Sequence, residues 1–209
     1  MSAPALWAKS VFQHRFAKLF VFVFALTPLG YLLLAAFGNQ LGANPAEALV
    51  RSTGDWTLRL LCIVLAVTPL RVVTGVAALA RFRRMLGLFV YFYVVLHLLC
   101  YSGFDMGFDV ADIARDIAKR PFILVGFSAF LLLTALACTS FNRAIKWMGG
   151  KRWQQLHRWV YAVAGLAVLH FFWMRAGKKN FTEVWVYGSV LGLLLLWRVF
   201  RWGKNAKVS

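Results

Sequence analysis

Acidic side chains are scarce in this sequence, which has seven Asp and Glu against 24 Lys and Arg and a formal net charge of +17. Charged residues of both signs make up only 15% of the chain, against about 25% in soluble domains, and 61% is hydrophobic. This shortage excludes an ordinary soluble domain and predicts a polytopic membrane protein. The basic excess is therefore not interpreted as a signal for a nucleic-acid partner.

Cysteine is also scarce, and its placement excludes two common uses. Cys62, Cys100 and Cys138 stand singly in apolar runs, with no CxxC pair and no Cys/His zinc spacing. We interpret them as small apolar residues of membrane helices. No convincing cleavage site follows the first apolar run, so that run is expected to stay as a helix.

Long apolar runs are what the sequence has in abundance. A helix needs about 20 apolar residues to span the hydrocarbon of a bilayer, and six segments qualify. The sequence therefore predicts an all-α integral membrane protein, a single transmembrane domain over residues 1–209 whose six helices form a bundle. The segments are 17–37, 56–79, 85–101, 121–141, 154–174 and 183–200.

Charge asymmetry predicts the orientation of these helices. Six spans place both termini on one side of the membrane. Sixteen of the 24 basic residues fall on that side, in stretches 9–18, 71–84, 143–158 and 198–207, and all seven acidic residues fall on the other. Both termini are thus predicted to be cytoplasmic, with the basic side facing anionic membrane lipid. The longer loop 103–120 is expected to be either an amphipathic helix at the interface or a solvated loop.

The four histidines are the candidates for chemistry. The third and fifth segments both run outward from basic cytoplasmic ends, so His97 and His170 are predicted to share a depth near the outer face. His157 precedes His170 by 13 residues, or about 20 Å of helix, and is predicted near the inner face. His14 precedes the first span among polar residues and is interpreted as a surface histidine, with completion of the inner site as the alternative.

Imidazole inside a membrane is costly, and two interpretations explain it. The three histidines form hydrogen bonds between helices, or they ligate haem iron. An imidazole on each face of a haem gives a six-coordinate, electron-transferring centre, which predicts His97 and His170 as an axial pair. A bare metal ion is disfavoured because no Cys or carboxylate stands at ligand spacing to these two.

The inner site lacks an obvious second ligand. Counting back thirteen or fourteen residues from His97 leads to Arg84 or Arg83, not to histidine. A guanidinium is a poor iron ligand, but it pairs well with a haem propionate or a flavin phosphate. On an ideal helix His157 and His170 would not share a face, so either that helix is irregular, for instance near Gly165, or the two sites are offset.

At these residues the sequence closely resembles the MsrQ (YedZ) family, the haem-binding membrane subunits of the bacterial periplasmic methionine sulfoxide reductase system, among the ferric reductase-like transmembrane domains. The matching strings are LGANPAEALVRSTGDWTLRLL (41–61) with VTPLR (67–71), RRMLGLFVYFYVVLHLLCY (83–101), RPFILVG (120–126) and GKRWQQLHRWVYAVAGLAVLHFFW (150–173). They span most of residues 41–173.

The resemblance implies an electron-transfer subunit of the bacterial inner membrane that holds haem b and is associated with FMN. The implied partner is a periplasmic molybdopterin-containing subunit, MsrP, that reduces methionine sulfoxide, with a quinone or a cytoplasmic flavin reductase as the donor. It also implies His97, His157 and His170 as the membrane histidines, and Arg83 with Arg84 as the tandem arginines. Two points stay open at this stage. The protein holds either one haem or two, and His157 is either an inner haem ligand or part of the site where electrons enter.

Two other functions remain compatible with the sequence. One is a self-contained ferric or metal reductase, and the other is a haem-free six-helix scaffold or carrier. Larger ferric reductase relatives carry a cytoplasmic flavin and nicotinamide domain. Only a few residues follow the sixth span here, and no Gly-rich nucleotide loop occurs, so the chain is expected to receive electrons from elsewhere.

Overall fold

A computed structural model describes residue 12 and residues 14–177, 179 and 181–206. Over these residues the secondary structure is helical, with no β-strand. The α-helices are α1 (Arg15–Phe37), α2 (Pro45–Thr74), α3 (Arg83–Cys100), α4 (Val110–Lys119), α5 (Pro121–Cys138), α6 (Asn142–Met148), α7 (Gly150–His157), α8 (Val160–Ala176) and α9 (Thr182–Ala206). A 3₁₀ helix (Ala77–Phe82) leads into α3, and a π-helix (Tyr101–Asp105) follows it.

Six helical segments in the described part of the chain are long and apolar enough to cross a membrane. This confirms the all-α membrane class and the number of spans. The segments are Phe16–Phe37, Pro45–Thr74, Ala77–Asp105, Pro121–Cys138, Gly150–Ala176 and Thr182–Gly203. The second begins 11 residues earlier than the apolar pattern suggested, because a capped polar turn precedes the apolar part.

Local sequence explains where α2 begins and ends. The Asn44 side chain accepts a hydrogen bond from the Glu47 backbone N–H at 3.1 Å, and Pro45 occupies the first helical position, where no donor is needed. Glu47 also places negative charge in the first turn, where the helix dipole favours it. Gly75 ends the helix in the left-handed region, with φ of 70°.

The fifth span is interrupted directly after His157. Arg158 and Trp159 separate α7 from α8, and the Trp159 and Tyr161 amides bond to carbonyls only three residues back. Of the two alternatives, an irregular helix between the histidines is confirmed, but the irregularity lies at Arg158 and Trp159 and not near Gly165, which is inside α8. The ideal-helix angle between His157 and His170 does not apply, because the winding tightens between them.

The longer loop contains a helix, α4, which follows a turn at residues 106–108 and is separated from α5 by Arg120 alone. The Asp109 carboxylate accepts a hydrogen bond from the Asp112 amide at 2.9 Å, which caps the first turn. Of the two expectations for residues 103–120, the helix is therefore confirmed. Its location at the membrane interface stays a prediction.

The contacts divide the chain into two compact units, residues 1–113 and 114–209. In the first unit α2 packs along α3, and in the second α5 packs along α8. Each pair is antiparallel, since His97 near the end of α3 meets the start of α2, and His170 near the end of α8 meets the start of α5. The single domain over residues 1–209 stays a prediction.

A tyrosine from α3 enters the proline-containing turn of α1. Pro28 has no amide proton, which weakens the helix there. The fully buried Tyr93 hydroxyl accepts a hydrogen bond from the Leu29 amide at 3.1 Å and donates one to the Ala25 carbonyl at 2.9 Å. An unbroken helix joins those two backbone groups to each other. The hydroxyl thus bridges the weakened turn and ties α1 to α3.

We expect Tyr93→Phe to lower the free energy of unfolding by about 1–3 kcal/mol, because two backbone groups lose a partner in an apolar environment. Equilibrium unfolding in mixed detergent micelles measures this change. Tyr31→Phe is the matched control, since Tyr31 lies on α1 and its side chain is exposed. Equal stability of the two variants would contradict the bridging role.

Candidate functional site

His97 is held against the start of α2. Its Nδ1 lies 2.8 Å from the backbone carbonyl oxygen of Val50. One turn further along α2, Gly54 faces the ring, and a Cβ at that position would lie 3.1 Å from both Nδ1 and Cε1. The half-buried imidazole therefore packs on bare backbone.

His170 is held against the start of α5 in the same manner. Its Nδ1 lies 2.7 Å from the backbone carbonyl oxygen of Phe122, and Gly126 faces the ring one turn further on. A Cβ at Gly126 would lie 2.8 Å from Nδ1 and 2.9 Å from Cε1, closer than side chains tolerate. Only glycine fits beside the imidazole in this position.

The same packing of a histidine ring on a helix backbone therefore occurs once in each unit. In each, a carbonyl and the glycine four residues later lie on the first helix, and the histidine follows that carbonyl by 47 or 48 residues. Gly54 and Gly126 are not among the residues predicted from the sequence, although both lie in the strings that carry the family resemblance. The available signal is a glycine inside an apolar helix. Such a glycine lowers helix stability by about 1 kcal/mol relative to alanine, and its presence often has a packing reason.

The carbonyl contacts determine which ring nitrogen can act as a ligand. A carbonyl oxygen only accepts hydrogen bonds, so Nδ1 of His97 and of His170 carries the proton. In the neutral imidazole the lone pair is then on Nε2. Metal-bound histidines have this same arrangement, with the other ring N–H donated to a carbonyl or carboxylate. Neither unit, over its described residues, gathers three His, Cys, Asp or Glu side chains that could hold a bare metal ion.

His157 lies at the opposite end of α5 from His170. Its Nε2 is 3.2 Å from the hydroxyl of Thr139, and the Trp153 ring stacks on the imidazole with centroids 4.0 Å apart. The Trp153 indole N–H donates to the Thr139 carbonyl at 2.8 Å. About 25 Å of helix separates Phe122 from Thr139, so the two histidines stand at opposite ends of a membrane-length helix. Thr139 is not among the residues predicted from the sequence.

The arginines and the fourth histidine lie apart from the His97 carbonyl contact. Arg83 and Arg84 are the first two residues of α3, exposed, and about 20 Å of helix away from His97. Their role toward a propionate or a phosphate stays a prediction, and it concerns this opposite end of α3. His14 is exposed, and its Nδ1 accepts a hydrogen bond from the Phe16 amide at 3.4 Å, as the N-cap of α1.

We expect the ring nitrogens of His97 and His170 to show a protonated Nδ1 and an unprotonated Nε2 in haem-free protein at mildly alkaline pH, because each Nδ1 donates to a carbonyl. Selective ¹⁵N-histidine NMR in detergent measures this, with signals assigned by their loss in His97→Ala and His170→Ala. His14, whose Nδ1 accepts a hydrogen bond from the Phe16 amide, provides the reference for an unprotonated Nδ1. A protonated Nε2 at either position would contradict the assignment.

A comparison with protein families places the chain among membrane reductase components. Residues 53–168, more than half of the chain, match the family described as "Ferric reductase like transmembrane component". The matched range contains both glycines, His97 and His157, and ends two residues before His170. No solved structure matches the chain.

Curated relatives match over nearly the whole length. A protein of Polaromonas naphthalenivorans is 72% identical over 91% of this chain and 88% of its own. Proteins of Herminiimonas arsenicoxydans and Ralstonia nicotianae are 52% and 47% identical, each over 93% of this chain and at least 90% of their own. All three are named protein-methionine-sulfoxide reductase heme-binding subunit MsrQ. The chain belongs to the MsrQ family, within the ferric reductase-like transmembrane components.

Proposed function

We propose that this protein is the haem b electron-transfer subunit of a methionine sulfoxide reductase system in the bacterial inner membrane. The observation that carries the proposal is the pair of histidines whose Nδ1 protons are donated to backbone carbonyls. This arrangement presents two Nε2 lone pairs in neutral imidazoles, the form that iron binds. The named function of the relatives, heme binding in a methionine sulfoxide reductase, supports it.

His97 and His170 are proposed as the two axial ligands of one haem. Their pairing rests on the sequence, since both helices run outward from basic ends and place the two residues at one depth. A bis-histidine haem supplies reversible one-electron transfer without an open position for oxygen. The chain's contribution is to hold each imidazole in one tautomer against the backbone of a neighbouring helix.

The basic side of the membrane is proposed to be cytoplasmic, with both termini on it. Positive residues are retained on the cytoplasmic side, and anionic lipid attracts them there. The His97 and His170 ends of α3 and α8 then face the periplasm, while Arg83, Arg84 and His157 face the cytoplasm. Electrons are therefore proposed to move outward, toward a periplasmic acceptor.

The proposed acceptor is the periplasmic molybdopterin subunit MsrP, on which the sulfoxide is reduced. The proposed donor is a membrane quinol or a cytoplasmic flavin reductase, with FMN held on the cytoplasmic side. Arg83 and Arg84 suit a flavin phosphate or a haem propionate there, because guanidinium groups form paired bonds to both. The acceptor, the donor and FMN come from the family resemblance.

His157 is proposed as a ligand of a second, inner haem or as part of the site where electrons enter. Its setting differs from that of the other two histidines, because Nε2 meets the Thr139 hydroxyl and an indole covers the ring. The haem content of purified protein separates the two roles. Two haems per chain, one of which is lost in His157→Ala, would assign His157 as a ligand, and an unchanged haem content in that variant would assign it to the site where electrons enter.

We expect the detergent-purified protein to show the Soret and α bands of a low-spin haem b. His97→Ala and His170→Ala should each abolish the same outer haem, because each removes one axial ligand, whereas His157→Ala should leave that spectrum largely intact. Absorption spectra with pyridine haemochrome and iron determination measure occupancy, and His14→Ala is the control.

Three outcomes would contradict parts of this proposal. A protein without a Soret band after expression with adequate haem would be a haem-free scaffold or carrier. Loss of the low-spin signal in His157→Ala but not in His97→Ala would refute the pairing of His97 with His170. Reduction of ferric iron by the isolated protein with a soluble donor would instead favour a self-contained reductase.

A further inference from the structure

We infer that Gly54 and Gly126 are positioning residues for the two imidazoles. Each keeps one backbone carbonyl open to a histidine ring and thereby sets the tautomer and the plane of that ring. The inference deepens the proposed function and rests on it in part, because the rings it concerns are the proposed axial ligands. Both glycines belong to strings of the family resemblance, TGDW and RPFILVG, for which the proposed ligand set gives no role.

Helix geometry explains why glycine is needed at these two positions. In an α-helix the carbonyl of residue i accepts from the amide of residue i+4, and the Cβ of i+4 is tilted back toward the helix N-terminus, beside that carbonyl. A Cβ at i+4 therefore crowds a planar ring that approaches the second lone pair of that oxygen. Gly54 stands at i+4 from Val50, and Gly126 stands at i+4 from Phe122. Without a Cβ, each carbonyl is accessible to an imidazole N–H.

The distances predict effects of different size at the two positions. A Cβ at Gly126 would lie 2.8 Å from His170 Nδ1, 2.9 Å from Cε1 and 3.2 Å from Cγ, so the whole ring must move. A Cβ at Gly54 would lie 3.1 Å from Nδ1 and Cε1 of His97 and 3.8 Å from Nε2, which a shift of a few tenths of an ångström relieves. Alanine at position 126 should therefore disturb its histidine more than alanine at position 54.

The two histidine-bearing helices offer matched controls. Gly87 lies on α3 with His97, Gly165 lies on α8 with His170, and a Cβ at either would meet nothing within 4 Å. Alanine is favoured over glycine inside a helix by about 1 kcal/mol. Gly87→Ala and Gly165→Ala should thus be neutral or stabilising, so they report the generic effect of the substitution.

We expect Gly126→Ala to weaken haem binding about 10–100-fold, because the hydrogen bond behind a metal-bound imidazole fixes its orientation and its basicity. Gly54→Ala should weaken it less, and Gly87→Ala and Gly165→Ala should leave it unchanged. Titration of haemin into haem-depleted protein measures the dissociation constants. The EPR g-values of the low-spin haem, which depend on the imidazole planes, should shift in the two site variants only.

A double-mutant cycle tests the same inference without haem. Gly126→Ala should lower the unfolding temperature of the haem-free protein when His170 is present. In a His170→Ala background, where the ring that meets the new Cβ is gone, Gly126→Ala should behave like Gly165→Ala. Non-additivity of this kind is typical of groups that contact each other, whereas distant and independent sites add. An equal effect of Gly126→Ala in both backgrounds would overturn the inference.

These measurements separate the inference from the proposed function. If the native protein binds no haem, the proposed function fails, while the cycle still decides whether Gly126 positions His170. If the native protein binds haem but Gly126→Ala matches Gly165→Ala in haem affinity, g-values and stability, the inference fails and the function stands. A Gly126→Ala variant that folds only when His170 is also replaced would support the inference.

Discussion

The hydrogen bond from an imidazole Nδ1 to a backbone carbonyl is the interaction on which the candidate site depends. Inside a bilayer an imidazole is costly, because no water is present to satisfy its nitrogens. A helix carbonyl that already bonds within its helix still has a second lone pair to offer. One contact therefore satisfies a polar atom, fixes the tautomer and leaves the lone pair on Nε2. It also ties together the two helices of each antiparallel pair.

The need to satisfy polar atoms inside the bilayer also determines the contacts of other polar side chains in the spans. Several hydroxyls return to a carbonyl three or four residues back in their own helix and so need no neighbour; these include Thr27, Thr53, Thr57, Ser128 and Thr134. Two aromatic side chains reach another part of the chain instead: Tyr93 bonds to α1, and His157 bonds to Thr139, the residue after α5. Over the described residues no buried side-chain nitrogen or oxygen lacks a partner. Polar contacts across helices are thus the ones that specify packing.

In the second unit, the contacts of His170 and His157 make the two ends of α5 different. His170 meets the first turn of α5, and His157 meets its C-terminal end, so a single helix separates two histidines of different surroundings. One is seated on bare backbone, a rigid setting suited to a ligand. The other is stacked on Trp153 and bonded to a hydroxyl. This contrast agrees with the proposed path, in which electrons enter at the His157 end and leave at the His170 end.

The amino-acid sequence by itself determined the all-α membrane class, the six spans and the identity of the candidate histidines. Hydropathy and residue type are local properties, so they can be read from the sequence without knowledge of the fold. Only the tertiary structure decided the rest: the irregular winding after His157, the Tyr93 bridge, and the glycines beside His97 and His170. A backbone carbonyl has no signature in the sequence, and a glycine's role here is defined by a ring 43 or 44 residues away. Those relations exist only once two helices are packed against each other.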